Sequence, residues 1–141
     1  MRIVIDTNVW LSSVPRKSGY HWLYAAFLKH RFDLAFSNEM LTEYEEQFFI
    51  HWHPLMAEDI CAILLEAYNS IWVDVYYQFN LIKEDADDNK FADCAIAAGA
   101  DYLVTFDKHF NVLKTLDFPK VIVVHPDEFR QILLNANLIE S

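Results

Sequence analysis

Four acidic side chains stand at points where the sequence pattern changes from one structural element to the next. Asp6 and Asp107 each follow a short apolar run, Glu43 falls about a turn and a half into a helical pattern, and Asp88 heads another. Carboxylates gathered at one point repel each other and raise each other's pKa, so such a group usually needs a cation. Mg²⁺ takes oxygen ligands, and two metal ions about 4 Å apart can support phosphodiester hydrolysis. The pattern predicts a divalent metal site, provided that these acids converge.

The elements that must position these acids are short strands alternating with helices. Apolar runs predict strands at 2–5, 33–37, 71–79, 102–105 and 121–124, and helical spacing predicts helices at 20–30, 38–49, 56–69, 88–98 and 126–135. Residues 12–19 read as a loop. Strands that read as continuous apolar runs are typical of a parallel sheet covered on both faces, in which ligands bind beyond the carboxyl ends of the strands. We therefore expect Asp6 and Asp107 to lie at one edge.

Local signals support several of these boundaries. Ser37 and Asn38 are good N-caps for the helix that carries Glu43. Gly99 is the residue expected just past a helix end, and Pro126 suits a first helical turn.

Asp93 is a second candidate on the helix that Asp88 begins. It lies five residues later and therefore about 140° around the helix. Asp88 instead shares a stripe with apolar and small residues that would let the helix approach the sheet, namely Phe91, Ala92, Ala95 and Ala98. We interpret Asp88 as the stronger metal ligand and Asp93, with Asp85, as an outer-shell or second-metal group. A solvated position is the alternative for Asp93, and helix capping is the alternative for Asp88.

Composition limits the classes that remain. The 141 residues suit one domain spanning 1–141, and 54% hydrophobic and 16% aromatic content excludes a disordered chain. Cys61 and Cys94 have no motif spacing, which suits a reducing cytosol, and no export signal or membrane span is predicted. The two glycines cannot supply a dinucleotide fingerprint or a P-loop.

The net charge of −10 argues against electrostatic holding of nucleic acid. Many of the acids, however, fall in the predicted metal site, which would bind phosphate only with its cations. Four basic residues are candidates to guide a strand toward that site: Arg16, Lys17, Lys90 and Lys108. Tyr44 and Phe106 are candidates to stack on bases, while the four tryptophans are assigned to the core or an interface. We expect weak RNA affinity with a strong metal requirement.

Three stretches of the chain resemble PIN-domain nucleases. They are Ile5-Asp6-Thr7-Asn8-Val9, the stretch 37–43 that ends on Glu43, and the stretch 85–107 that runs from Asp85 to Asp107. The resemblance covers residues 1 to about 125 and is strongest to the branch of toxin components of prokaryotic toxin–antitoxin pairs. Phe106 stands where that branch often has glycine, and Ala86 replaces a common proline.

The resemblance implies a three-layer α/β/α sandwich with a mainly parallel sheet and a Mg²⁺- or Mn²⁺-dependent endoribonuclease acting on single-stranded RNA. By position, its acidic ligands are Asp6, Glu43, Asp88 and Asp107, and Thr7, Asn8 and Thr105 match supporting polar positions. It also implies a cytoplasmic protein with a cognate antitoxin and commonly a homodimer. A water activated by metal would attack in line, and either Asp88 or Glu43 would accept its proton.

Other functions fit less well. A haloacid-dehalogenase-type phosphotransferase needs an acid where this chain has Asn8, and a response-regulator receiver needs an aspartate at the end of the third strand. His51 and His53 lack a third ligand nearby for a metal. The main alternative is a non-catalytic PIN-fold module that binds RNA or a protein, although all four ligand positions are intact.

Overall fold

The computed structural model describes residues 1–141 and contains a five-stranded, fully parallel sheet. Its strands are β1 (Arg2–Ile5), β2 (Asp33–Phe36), β3 (Ser70–Trp72), β4 (Tyr102–Val104) and β5 (Val123–Val124). Their order across the sheet is β3-β2-β1-β4-β5. The chain therefore places β2 and β3 on one side of β1 and later adds β4 and β5 on its other side. The crevice between the carboxyl ends of β1 and β4 is the point where strand order reverses, which is where ligands bind in such sheets.

Helices cover the sheet in the predicted three-layer α/β/α arrangement. They are α1 (Thr7–Ser13), α2 (His21–Leu28), α3 (Asn38–His51), α4 (Pro54–Glu66), α5 (Asn89–Ala98) and α6 (Pro126–Asn135), with 3₁₀ segments at Ala86–Asp88 and Lys108–Thr115. None of the helices combines the length and apolar character needed to cross a membrane.

The core explains why α5 lies so close to the sheet. Ile3, Val4 and Ile5 of β1 are completely buried, and α5 packs on β1, β2 and β4. The predicted stripe of small and apolar residues on α5 is buried throughout. Gly99 ends the helix with φ +61°, a left-handed conformation that favours glycine. This close packing holds the first turn of α5 against the β1–β4 crevice.

Two predicted elements differ from the structure. The strand predicted over 71–79 ends at Trp72, and the Val73 amide makes the last link to the sheet, 2.8 Å from the carbonyl of Phe36. Trp72 pairs with Phe36, the last residue of the neighbouring β2, so no strand remains to pair with the rest of this β-branched and aromatic stretch. The loop predicted over 12–19 begins two residues early, because α1 extends through Ser13.

Helix α1 was not predicted from the sequence. Threonine, asparagine, valine and serine are poor helix formers, so no local signal marks it. Val9 and Trp10 are completely buried, so tertiary packing stabilises this helix. The strand predicted at 121–124 is reduced to its last two residues.

Candidate metal centre

Asp6 is held at the switch point by its own backbone and by one hydroxyl. Its amide donates to the carbonyl of Val104 at 3.0 Å, which fixes the end of β1 against β4. The Thr105 hydroxyl donates to Asp6 Oδ2 at 2.7 Å and accepts from the Asp107 amide at 2.9 Å. Asp6 is 5% exposed and Thr105 is 3% exposed. A single threonine thus orients the Asp6 carboxylate and fixes the backbone at Asp107.

A second group of ligands surrounds Asp88, and we call it the aspartate cluster. Its members are Asp85, Asp88, Asp107 and His109, each with a potential ligand atom within 4.8 Å of the others. The Oδ2 atom of Asp88 is buried and has no hydrogen-bond partner. Asp107 caps the following 3₁₀ turn, since its Oδ1 accepts from the His109 amide at 2.8 Å. A buried carboxylate oxygen without a donor is costly unless something positive binds it.

The pKa values of these acids report their crowding. Burial raises the pKa of Asp6 to about 6, the Thr105 hydrogen bond opposes this shift, and the charges of Glu43 and Asp107 add to it. Burial also raises the pKa of Asp88 well above its ordinary value, helped by a hydrogen bond with Asp107 and by the charges of Asp6, Asp85 and Asp107. No lysine or arginine forms an ion pair with Asp6 or Asp88.

Glu43 has a different environment, which we call the Glu43–Lys90 pair. The Lys90 ammonium donates to Glu43 Oε1 at 2.8 Å, and the Thr7 hydroxyl donates to Oε2. Both charged side chains are largely buried, at 17% and 21% exposure. Burial tends to lower the pKa of Lys90, but the hydrogen bond and charge of Glu43 outweigh it and raise that pKa. Here the protein supplies its own counter-charge.

These residues fit a hard divalent cation. The donors are mainly carboxylate oxygens, which suit Mg²⁺ and Mn²⁺. The unpartnered oxygen of Asp88 and the raised pKa values of Asp6 and Asp88 both indicate negative charge that the protein itself leaves uncompensated. A divalent cation would remove that repulsion.

The structure brings together most of the residues predicted from the sequence. Asp6, Asp88 and Asp107 converge at the switch point, and Glu43 is close enough to Asp6 to influence its pKa. Thr7 and Thr105 each donate to one of these acids. Asn8 is exposed, and its side chain makes no hydrogen bond with any of these acids.

Asp93 lies apart from the aspartate cluster. It is 5% exposed, so the alternative that it is a solvated helix residue is wrong. Its Oδ1 accepts from the Phe79 amide at 3.1 Å, and burial raises its pKa while that hydrogen bond lowers it. Asp85, the other outer-shell candidate, does join the cluster.

Two features of the site were missed or misjudged from the sequence. His109 contacts the cluster, with Nδ1 3.4 Å from Asp107 Oδ1, and its place two residues after Asp107 was the only available signal. Lys90, one of the predicted guiding cations, is instead held by Glu43, whereas Arg16, Lys17 and Lys108 are exposed.

The predicted base-stacking residues are not free. Tyr44 is 1% exposed, so its prediction as a stacking residue is wrong; its hydroxyl donates to the carbonyl of Ile5. Phe106 packs edge-on against Tyr20 and His125, at 5.1 and 5.2 Å between ring centroids. Cys61 and Cys94 are both free, as expected.

Comparisons with known proteins identify the family and support the fold. A family model described as the PIN domain matches residues 2–109. The VapBC2 crystal structure from Rickettsia felis, bound to a DNA fragment from their promoter, has a chain 19% identical with a TM-score of 0.61, covering 89% of this chain and 98% of that one. FitAcB from Neisseria gonorrhoeae is 17% identical with a TM-score of 0.56, covering 88% and 97%.

A third similar structure is FitAB bound to an IR36 DNA fragment, 16% identical with a TM-score of 0.57, covering 88% of this chain and 94% of that one. At these identities the likeness shows the fold alone. No curated protein shows significant sequence similarity to this chain.

Proposed function

The chain belongs to the PIN-domain family, and from that premise we propose that it is a metal-dependent endoribonuclease that hydrolyses phosphodiester bonds of single-stranded RNA. We propose that residues 1–141 act as one PIN-like nuclease domain. The observation that carries the proposal is the aspartate cluster beside Asp6, where the buried Asp88 meets the half-buried Asp85 and Asp107 with no lysine or arginine paired to them.

The proposed metal ligands are Asp6, Glu43, Asp88 and Asp107, with Mg²⁺ or Mn²⁺ as the cation. When bound, the cation stabilises charge on phosphoryl oxygens and lowers the pKa of water. Thr7, Asn8 and Thr105 are the proposed supporting residues; Thr105 holds Asp6, and Thr7 holds Glu43. Asp93 stays a predicted additional ligand. The hydrogen bond that it makes in the structure is with the Phe79 amide.

The hydrogen bonds of these carboxylates indicate that they have different roles in the proposed reaction. Asp6 and Asp107 are oriented by Thr105 before substrate arrives, which reduces the cost of assembling the site. Both oxygens of Glu43 already accept hydrogen bonds, so Glu43 is better restrained than Asp88. It is accordingly the poorer of the two candidate proton acceptors.

We further propose that the chain is the cytoplasmic toxin of a toxin–antitoxin pair, with a cognate antitoxin and a homodimeric state. The resemblance to the toxin branch and the likeness to VapBC2 and FitAB support this proposal. Apolar side chains exposed where α3 and α4 meet are consistent with a protein interface: Phe49 is 48%, Ile50 71% and Leu55 68% exposed.

The test is RNA cleavage by purified protein with Mg²⁺, Mn²⁺ or EDTA, beside Asp6→Asn and a control, Asp59→Asn, on the exposed face of α4. We expect metal-dependent cleavage by the wild type and the control, and none by folded Asp6→Asn. Wild-type rates in Asp6→Asn would overturn the site assignment. Equal RNA binding in EDTA with no product in any metal would instead indicate a non-catalytic binding module.

A further inference from the structure

A cleft of about 190 Å³ opens beside the Glu43–Lys90 pair, and we call it the side cleft. It lies between the start of α3, the irregular segment after β3, and α5. Its polar lining includes three acids, Glu39, Asp74 and Asp93, together with Tyr76, Gln78 and Lys90. Because Lys90 lines the cleft and also donates to Glu43, the cleft is continuous with the proposed metal site.

Asp93 provides this cleft with a hydrogen-bond acceptor whose position is fixed by the protein. One carboxylate oxygen, Oδ1, is held by the Phe79 amide, whereas Oδ2 accepts no hydrogen bond from the protein. The side chain is 95% buried from solvent and lines the cleft, so Oδ2 is left free toward the cleft. This oxygen keeps access to solvent through the cleft, so a donor from outside the protein can reach it.

The size and rim of the cleft favour one planar ring. Its volume is well below the ~300–1,000 Å³ of pockets for drug-sized ligands. The ring of Tyr76 is 91% exposed at the rim, and its hydroxyl lies 3.4 Å from Asp74 Oδ2. Exposed aromatic rings beside polar grooves are the usual platforms for stacking of single-stranded bases.

We propose that the side cleft binds the base of a nucleotide next to the scissile phosphate and selects bases that carry an exocyclic amino group. The inference rests on the proposed function and adds a specificity to it. An amino group donates to a carboxylate such as Asp93, as in the pairing of acidic side chains with cytosine N4. Uracil presents a carbonyl at that position, which would place two acceptors against each other. Cytosine is therefore preferred over uracil on the same ring scaffold.

The acids of the cleft make a basic side chain from a partner protein the competing occupant. An arginine from a partner protein would meet the acids of the cleft, but it would also meet the ammonium of Lys90 in the same wall. A nucleotide is accommodated once the neighbouring metal site holds its cation, because its amino group then faces Asp93 while its phosphate is attracted to that cation.

The first test is binding and does not depend on cleavage. Isotope-labelled protein with saturating Mg²⁺ is titrated with cytidine or uridine 5′-monophosphate while amide resonances are followed. We expect the cytidine nucleotide to shift the amides of residues 74–78 and to bind about tenfold more tightly than the uridine nucleotide. Asp93→Asn keeps the acceptor for the Phe79 amide but replaces the free oxygen with a donor, so it should abolish or reverse the preference.

Three results would overturn the proposal. They are equal binding of the two nucleotides, shifts confined to residues outside the cleft, and an unchanged preference in Asp93→Asn. If N-acetylarginine amide shifts residues 74–78 and neither nucleotide does, the cleft takes a basic side chain and the proposal is wrong.

The second test reads specificity during cleavage. Two RNAs that differ only in cytosine or uracil beside one cleavable bond compete in one reaction with Mn²⁺. We expect about tenfold faster consumption of the cytosine RNA by the wild type and by Asp59→Asn, and no such ratio with Asp93→Asn. Cleavage without a base preference overturns this inference alone. Absence of cleavage would contradict the proposed function. The nucleotide titration would then still show whether the side cleft binds cytosine.

Discussion

Glu43 and Asp88 lie in the same acidic site, yet their surroundings differ in one respect. Glu43 is satisfied within the protein, with Lys90 on one oxygen and Thr7 on the other. Asp88 is surrounded by further carboxylates, its pKa is raised, and one of its buried oxygens has no partner. One part of the site is therefore electrostatically complete, whereas the other is complete only when a cation is added.

This difference predicts how removing a charge from each part of the site should change stability and the proposed activity. Removing charge from the aspartate cluster should relieve repulsion in the metal-free protein and abolish the proposed activity. Removing charge from the Glu43–Lys90 pair should do the opposite to stability, because it leaves the remaining charge unpaired.

The largest effect is expected from Asp88→Asn. Loss of a direct ligand should reduce Mn²⁺-dependent RNA cleavage by more than the ~10–100-fold that is typical for outer-shell residues. The same change should raise the thermal stability of the metal-free protein, because it removes a buried, repelled carboxyl group. Cleavage kinetics and thermal unfolding in EDTA check the two parts. An unchanged rate together with lowered stability would contradict the comparison.

Thr105→Val tests the orientation of the strand-end aspartates. The substitution removes the hydrogen bond to Asp6 Oδ2 and the acceptor for the Asp107 amide while keeping the shape of the side chain. We expect a loss of roughly 10–100-fold in metal affinity or activity. Mn²⁺ titrations of cleavage measure it. Full activity at wild-type metal concentrations would show that Thr105 does not position the ligands.

The pH dependence of stability should separate metal-free from metal-bound protein. The folded state holds a proton on Asp6 with a pKa of about 6 against about 3.8 when unfolded, so it binds protons more tightly than the unfolded chain. The free energy of unfolding should therefore fall by about 2–3 kcal/mol as pH rises from about 4 through 6. Denaturant unfolding in EDTA measures this slope, and saturating Mn²⁺ should reverse it. A free energy of unfolding that rises with pH over that range in EDTA would contradict the raised pKa of Asp6.

Lys90→Met is expected to give the smallest effect and acts on the compensated part. Glu43 would keep Thr7 but lose its counter-charge, which should destabilise the metal-free protein by about 1–2 kcal/mol, given that both side chains are partly exposed. Added Mn²⁺ should stabilise this variant more than the wild type. Chemical denaturation with and without Mn²⁺ provides the comparison; a variant as stable as the wild type in EDTA would mean that the pair contributes little.

Much of the site could be predicted because its residues are tied to strand ends and helix starts. Asp6 and Asp107 follow apolar runs whose short length favours buried strands, and strand ends in a parallel sheet meet at one edge. Ser37 signalled the helix that carries Glu43, and its hydroxyl does accept from the Met40 amide. Gly99 and the small-residue stripe marked α5 in the same way.

The rest depended on contacts between distant parts of the chain. Nothing near Lys90 in sequence indicates that it pairs with Glu43, 47 residues away. Asp93 could not be separated from a solvated residue, because its partner is the Phe79 amide in a segment that was predicted to be a strand. That segment has strand-forming side chains but continues past the last residue of β2, where no neighbouring strand completes a ladder.

The most direct test of the central claim is calorimetric titration of metal-free protein with Mn²⁺, beside Asp88→Asn and the Asp59→Asn control. The uncompensated charge around Asp88 predicts saturable binding with release of protons near pH 7 in the wild type and in the control, and greatly weakened binding in Asp88→Asn. Equal Mn²⁺ binding by all three proteins, or no binding by any of them, would contradict a metal centre at the switch point.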